Sequence, residues 1–207
     1  RDWFRRDGVP IAVERRDPQE PFGLHAHEFS EIVIITSGRG IHVTGRESYP
    51  LTAGDVFVIG GSRPHDYHSM ERLCLINILF QPRELGWPLA DLRHLPGHHA
   101  LFTLEPAWRR RHQFRSRLRL APRELAVLLG LVDDLDQELR VRQPGFRFMA
   151  IAAFMRLVGY LSRCYNESRG ADSQALLRIG AAISHLEANY QQTVAVEDLA
   201  RIARMSK

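Results

Sequence analysis

The 207-residue sequence predicts an α+β fold, an antiparallel β-barrel or sandwich first and helices after it. Three observations carry this. Short β-rich runs punctuated by glycine fill residues 25–80, an apolar stripe with spacings of three and four begins at Pro122, and further helical runs follow a polar stretch at 166–173.

Composition bounds the rest. With 44% hydrophobic residues the chain can bury a sizeable core, and its longest apolar runs, 32–35 and 73–80, fall far short of the roughly 20 residues a membrane helix needs. No leader-type segment opens the sequence, and Cys74 and Cys164 lie far apart in apolar surroundings, so packed thiols in a reducing, cytoplasmic setting are expected. The formal charge of +4 permits a nucleic-acid partner without requiring one, because Lys207 is the only lysine and an arginine bias has other origins. Opening at Arg1 and stopping at Met205, Ser206 and Lys207, the chain reads as part of a longer protein.

Along the chain, residues 1–22 read as an arm with one short strand. Strands are expected at 31–36, 41–44, 55–59 and 73–80, separated by Ser37-Gly38, Gly40, Gly45, Gly54 and Gly60-Gly61. Pro82, Pro88 and Pro96 divide the next stretch, and the basic run Arg109, Arg110, Arg111, Arg115, Arg117 and Arg119 reads as a solvated face. Pro122 suits a helix's first turn; Leu125, Leu128, Leu129, Val132, Leu135 and Leu139 then form one stripe, open to packing on the barrel or to a homodimer seam. Pro144-Gly145 ends that helix. A second, from about 146 to 165, is apolar on several sides and is expected to be buried, completing a hairpin over 122–166. Residues 166–173 read as a linker, followed by two more helices and by Ser206 as the cap of a third.

The chemistry concentrates near the front. On a strand His25, His27 and Glu31 would share a face, having the same parity, and His65 at the end of the strand from Asp55 would join them if the sheet closes. The spacing His25-x-His27-x3-Glu31-x6-Gly38 resembles the first cupin motif, and Gly54-Asp55 with Pro64-His65 resembles a reduced second one; Gly23 stands nearer the first histidine than the pattern asks, and Thr52-Ala53 replace its usual proline. Two readings stay open on these residues. His25, His27, Glu31 and His65 suit a divalent metal such as Zn, Ni, Fe or Mn, and the same side chains suit hydrogen bonds to an effector's hydroxyls.

The segment from Ile179 to Lys207 resembles the opening of the DNA-binding domain of the AraC family of transcription regulators, through Ile183, Leu186, Tyr190, Val194, Val196, Leu199, Ala200 and Ser206. Within that family "HEFSEIVIITSGRGIHV" and "RLCLINILF" resemble the rhamnose-responsive activators. The resemblance implies a cupin-like effector-binding barrel over 23–121, the hairpin with a dimerisation role over 122–166, and the first helices of a helix-turn-helix domain over 174–207. It implies a monosaccharide effector held by His25, His27, Glu31, His42, His65 and Tyr67, with Trp3 or Phe4 closing over it. His42 is the outlier of the set, since a histidine between Ile41 and Val43 is more often a surface or edge residue. DNA, a second copy of the chain and RNA polymerase are the implied macromolecular partners. No DNA-reading residue is expected within 1–207, because the recognition helix would begin at or after Ser206. No catalytic residue and no required cofactor is expected; the rival expectation is a cupin metalloenzyme, an isomerase or dioxygenase, using the four metal candidates.

Overall fold

The β-branched run Ile32, Val33, Ile34 and Ile35 is fully buried on both faces, so it occupies the centre of a sheet. In the computed structural model, which describes Phe4 and residues 8–45, 47–85, 91–108 and 118–205, this run belongs to β2 (Ser30–Thr44), the second of six strands. The others are β1 (Ile11–Arg16), β3 (Glu47–Thr52), β4 (Asp55–Ile59), β5 (Asp66–Phe80) and β6 (Leu118–Arg119). All pairings among β1 to β5 are antiparallel, in the order β1-β5-β2-β4-β6, with β3 also on β2. The α+β class expected from the sequence is the class observed.

The chain forms two compact units, Arg1–Gly86 with Arg119–Leu157, and Trp87–Leu118 with Val158–Lys207. In the first, β2 gives its early half to β4 and its late half to β3, while β5 pairs along its other edge. Both long strands bend where their register shifts between Ile35 and Ile41. Gly38 sits at this bend with φ +72°, and a Cβ there would come within 2.0 Å of the Arg72 carbonyl oxygen, so only glycine fits. The bend folds the sheet over, since Val33, Ile35, Leu51, Phe57, Ile59, Tyr67, Leu73 and Leu75, drawn from β2 to β5, meet in one apolar cluster.

The strand expectations were right in place but too short. The runs 31–36 and 41–44 are one strand continued through the bend, 73–80 extends back to Asp66, and β3 was not foreseen. The strand of the N-terminal arm is β1, paired with β5 along its whole length from Ile11 opposite Phe80 to Arg16 opposite Leu75. Its neighbours serve opposite faces: Arg15 reaches Asp133 at 2.7 Å and Asp136 at 3.3 Å, both on α3 (Pro122–Val141), while Glu14 and Arg16 turn the other way.

Within α3, Pro122 occupies the first turn, the Ala121 amide donates to Glu124, and Arg142 ends the helix in the left-handed region. Leu128, Val132 and Leu135 of the predicted stripe are fully buried inside the chain. The next helix, α4 (Phe146–Asn166), is buried from Ala150 onward at Phe154, Leu157, Val158, Leu161 and Tyr165. Phe148 and Met149, expected to be covered, are 75% and 48% exposed. They precede the first stripe residue by two and one positions and therefore lie off its face.

In the second unit the stretch after the prolines forms short turns at Leu92–His94, α1 (Pro96–His98), a π-helical segment His99–Leu104 and α2 (Glu105–Trp108). They are followed there by the end of α4, α5 (Ala171–Ala188) and α6 (Val196–Ala203). The polar stretch 166–173 is largely helical at its ends, leaving only 167–170 between α4 and α5. The Tyr165 hydroxyl donates to the fully buried Glu105 at 2.8 Å. A Cβ on Gly180 of α5 would meet the Pro96 carbonyl oxygen at 2.5 Å, which sets how closely α5 approaches α1. Trp3, Ser206 and the basic run from Arg109 to Arg117 lie outside the described residues.

Candidate functional site

His25 and His27 do not lie on a strand. His25 forms an isolated bridge with His65, its amide donating to the His65 carbonyl at 3.1 Å and its carbonyl accepting from the His65 amide at 2.9 Å, and β2 begins only at Ser30. This bridge, rather than strand parity, brings the front histidines to Glu31. The second glycine motif positions structure too: Gly54 turns at φ +90°, and buried Asp55 accepts from the Thr52 amide at 2.8 Å and from Arg119 Nε at 3.0 Å.

The three histidine rings are oriented by backbone carbonyls. His25 Nδ1 lies 2.8 Å from the Gly23 oxygen, His27 Nδ1 2.7 Å from the Phe29 oxygen, and His65 Nδ1 3.1 Å from the Arg63 oxygen. A carbonyl only accepts, so each Nδ1 carries the hydrogen and each Nε2 offers its lone pair when the ring is neutral. His27 Nε2 then faces Glu31 Oε2 at 3.0 Å and His65 Nε2 faces it at 3.7 Å. Acceptor meets acceptor there unless a proton or a cation lies between them. Burial lowers the His65 pKa, with neighbouring Glu31 opposing, which favours the neutral ring. Among the described residues, ligand atoms of His27, Glu31 and His65 all lie within 4.8 Å of one another; His25 stands beside them, its ring 4.2 Å from that of His65, but outside that set.

Around this trio lies a cavity of about 220 Å³. Its walls include the expected His25 and Tyr67, and they also include residues that sequence reasoning missed: Phe22, and the polar Glu14 and Arg16 of β1, Gln19 after it, and Asn77 of β5. Alternation along β1 was the available signal, since residues 14 and 16 share parity. Glu14 and Arg16 form an ion pair at 3.2 Å. Tyr67 is buried, and its hydroxyl, like Asn77 Oδ1, has no hydrogen-bond partner among the described residues. Burial, then Glu31, pushes the Tyr67 pKa well up, so the phenol stays protonated and able to donate. An unpartnered buried group of this kind costs about 1–3 kcal/mol, which a ligand hydroxyl would recover.

His42 is not at the surface, contrary to the usual reading of such a position. It is 3% exposed because β2 is flanked on both edges, and its ring lies 4.9 Å from Phe57, 5.4 Å from Tyr67 and 5.7 Å from His65. It thus stands behind the cavity wall and is not part of the lining. Phe4 meets Phe29 edge-on at 5.6 Å, and Phe29 stacks flat on His27 at 4.0 Å.

The profile of the AraC-like ligand binding domain matches residues 8–143, which hold the cavity and most of the first unit. The chain belongs to the AraC-like ligand-binding domain family. Proteins similar to this AraC-like chain include the HTH-type transcriptional activator RhaR of Mannheimia succiniciproducens, 29% identical over 199 residues, 96% of this chain and 67% of that protein. The RhaR of Escherichia coli O9:H4 is 33% identical over 162 residues, 78% of this chain and 54% of its own length. That of Yersinia pseudotuberculosis is 44% identical over 85 residues, 41% of this chain and 29% of its own. The AraC-like chain thus spans about half the length of the E. coli relative and about two thirds of the Mannheimia one. Among solved structures, a cupin-like protein from Thermotoga maritima is 26% identical, over 36% of this chain and 60% of that one, with a TM-score of 0.32. A cupin protein from Bacteroides fragilis is 21% identical, over 39% and 73%, also with a TM-score of 0.32. Among its described residues no helix is long and apolar enough to cross a membrane.

Proposed function

We propose that this chain is the effector-sensing part of a sequence-specific, DNA-binding transcription activator of carbohydrate catabolism, and that its effector is a rhamnose-like monosaccharide. The supporting observation is the cavity itself: a small recess inside an AraC-like domain, walled by carboxylates, imidazoles and a buried phenol with no hydrogen-bond partner among the described residues. In this reading His25, His27, Glu31, His65 and Tyr67 bind ligand hydroxyls, and His42 holds His65 and Tyr67 from behind. Each neutral hydrogen bond contributes about 0.5–1.5 kcal/mol net, more where Glu31 accepts. The barrel over 23–121 senses, the hairpin over 122–166 pairs two copies, and the part from 174 onward begins the DNA-binding domain of a cytoplasmic protein that engages RNA polymerase. No chemistry on the effector is needed. The ligand acts by its differential affinity for two arrangements of the protein, typically about 1–3 kcal/mol.

A thermal-shift screen of monosaccharides on the chain tests this, paired with reporter transcription driven by the full-length protein. The sugar that stabilises the chain should also switch the reporter, and Glu31→Gln should abolish both. No response to any sugar would overturn the sugar-sensor reading.

A second reading is favoured by the three carbonyl-pinned Nδ1 atoms, which leave the Nε2 lone pairs of His27 and His65 facing Glu31. Such carbonyl bonds are the usual outer support of metal-binding histidines. His27, Glu31 and His65, with His25 beside them, would hold a divalent Zn, Ni, Fe or Mn ion, which when bound supplies Lewis acidity toward an oxygen ligand. Stoichiometric metal in untagged protein, together with turnover of a sugar, would favour a cupin-type metalloenzyme over a sensor.

A further inference from the structure

We infer that β1 carries the selectivity of the cavity: Glu14 and Arg16, held together as an ion pair, read neighbouring hydroxyls of a neutral ligand and exclude acidic ones. The inference rests on the sensor reading and deepens it.

Charge decides the ligand class. Arg16 is the only arginine or lysine in the described lining, and it is already 3.2 Å from Glu14; Glu31 adds a second carboxylate to the lining. Beside the three imidazoles, a carboxylate or phosphate ligand would therefore meet two carboxylates and one guanidinium that is already paired. A neutral polyol meets no such conflict. One of its hydroxyls donates to Glu14 while the next accepts from Arg16, and charged partners make these the stronger hydrogen bonds of the site. The neighbouring strand extends the same pattern. Asn77 is the cross-strand partner of Glu14, and its buried Oδ1 has no hydrogen bond among the described residues, so a third hydroxyl has a place between them. Size agrees, since about 220 Å³ is below the roughly 300–1,000 Å³ of sites for drug-sized molecules and suits a single small metabolite. Phe22 supplies an apolar wall, its ring edge-on to His25 at 4.6 Å, against which the carbon face of a sugar would lie.

The test uses the whole chain in chelator-treated buffer, so that no added cation offsets the carboxylates. L-rhamnose, L-fucose and D-mannose are compared with D-galacturonate and D-glucuronate by calorimetry and thermal shift. The expected result is binding of at least one neutral sugar and of neither acid. Glu14→Gln and Arg16→Gln should each weaken the neutral sugar about tenfold or more without moving the ligand-free melting temperature. Glu14→Gln, which releases the Arg16 guanidinium, should in addition admit the acids; Arg16→Gln should not. Binding of an acid by the wild-type chain, or unchanged affinity of both variants for the neutral sugar, would overturn the assignment to β1 while leaving the sensor reading intact. If no sugar of either kind binds the wild type, both fall together.

Discussion

His27 presents its Nε2 atom to Glu31 Oε2 at 3.0 Å while its Nδ1 is fixed 2.7 Å from the Phe29 carbonyl. Two acceptors at that distance want something positive between them. Zn²⁺ titrated into the chain is accordingly expected to raise its melting temperature and EDTA to reverse the effect, with a gain of about 2.7 kcal/mol at one hundred times the dissociation constant. His27→Ala and Glu31→Gln should lose most of that gain. An identical Zn²⁺ response in both variants would place the ion elsewhere.

Tyr67 gives a prediction of opposite sign for the empty and filled site. Its hydroxyl is buried without a hydrogen bond among the described residues, so Tyr67→Phe should leave the ligand-free chain as stable as wild type or more stable by about 1 kcal/mol. The same change should weaken a sugar ligand. Denaturant melts with and without ligand measure both arms, and a loss of stability in the ligand-free variant would contradict the assignment.

Acid should destabilise the helical unit through His98. Burial first, and then neighbouring His99, lower its pKa from 6.5 to about 4, and its Nδ1 has no hydrogen-bond partner among the described residues. Between those two pH values the unfolded chain binds a proton that the folded chain refuses, so stability is present above about pH 6.5 and falls as pH drops toward 4. The full effect is on the order of 3 kcal/mol. His98→Gln should flatten the acid limb of a stability–pH curve. Because burial lowers the His65 pKa as well, a smaller slope of the same sign should remain.

Gly38→Ala tests the bend of β2 and β5. The left-handed backbone and the 2.0 Å approach to the Arg72 carbonyl act together, and a loss of about 2 kcal/mol or more is expected in chemical denaturation. Gly45, at φ +63° with open space around its Cβ position, is the control and should cost less when replaced by alanine.

Much of this was legible before any coordinates. The β-branched run at 32–35, the helix start at Pro122 and the break at Pro144-Gly145 each rest on local chemistry, and each lies where periodicity and punctuation put it. The meeting of His25, His27, Glu31 and His65 was anticipated by motif spacing, though for a partly wrong reason: the isolated bridge between His25 and His65 does what a strand was expected to do. What stayed hidden depends on tertiary placement. Glu14, Arg16 and Asn77 look like ordinary surface polar residues of two strands until β1 is laid beside β5. The burial of His42 likewise follows from strands on both sides of β2, which nothing around Ile41 and Val43 announces.

The alternation along β1 carries a consequence for how such a protein can diversify. Residues 14 and 16 face the cavity, while residue 15 between them is tied to Asp133 and Asp136 of α3. Point substitutions at the two inner positions can retune chemical preference without disturbing the outer tether. Loss or gain of one residue between Ile11 and Glu14 would instead swap the roles, turning a lone guanidinium inward and casting both readers outward. Relatives that answer to different small molecules should therefore vary freely in identity along this strand and hardly at all in its length.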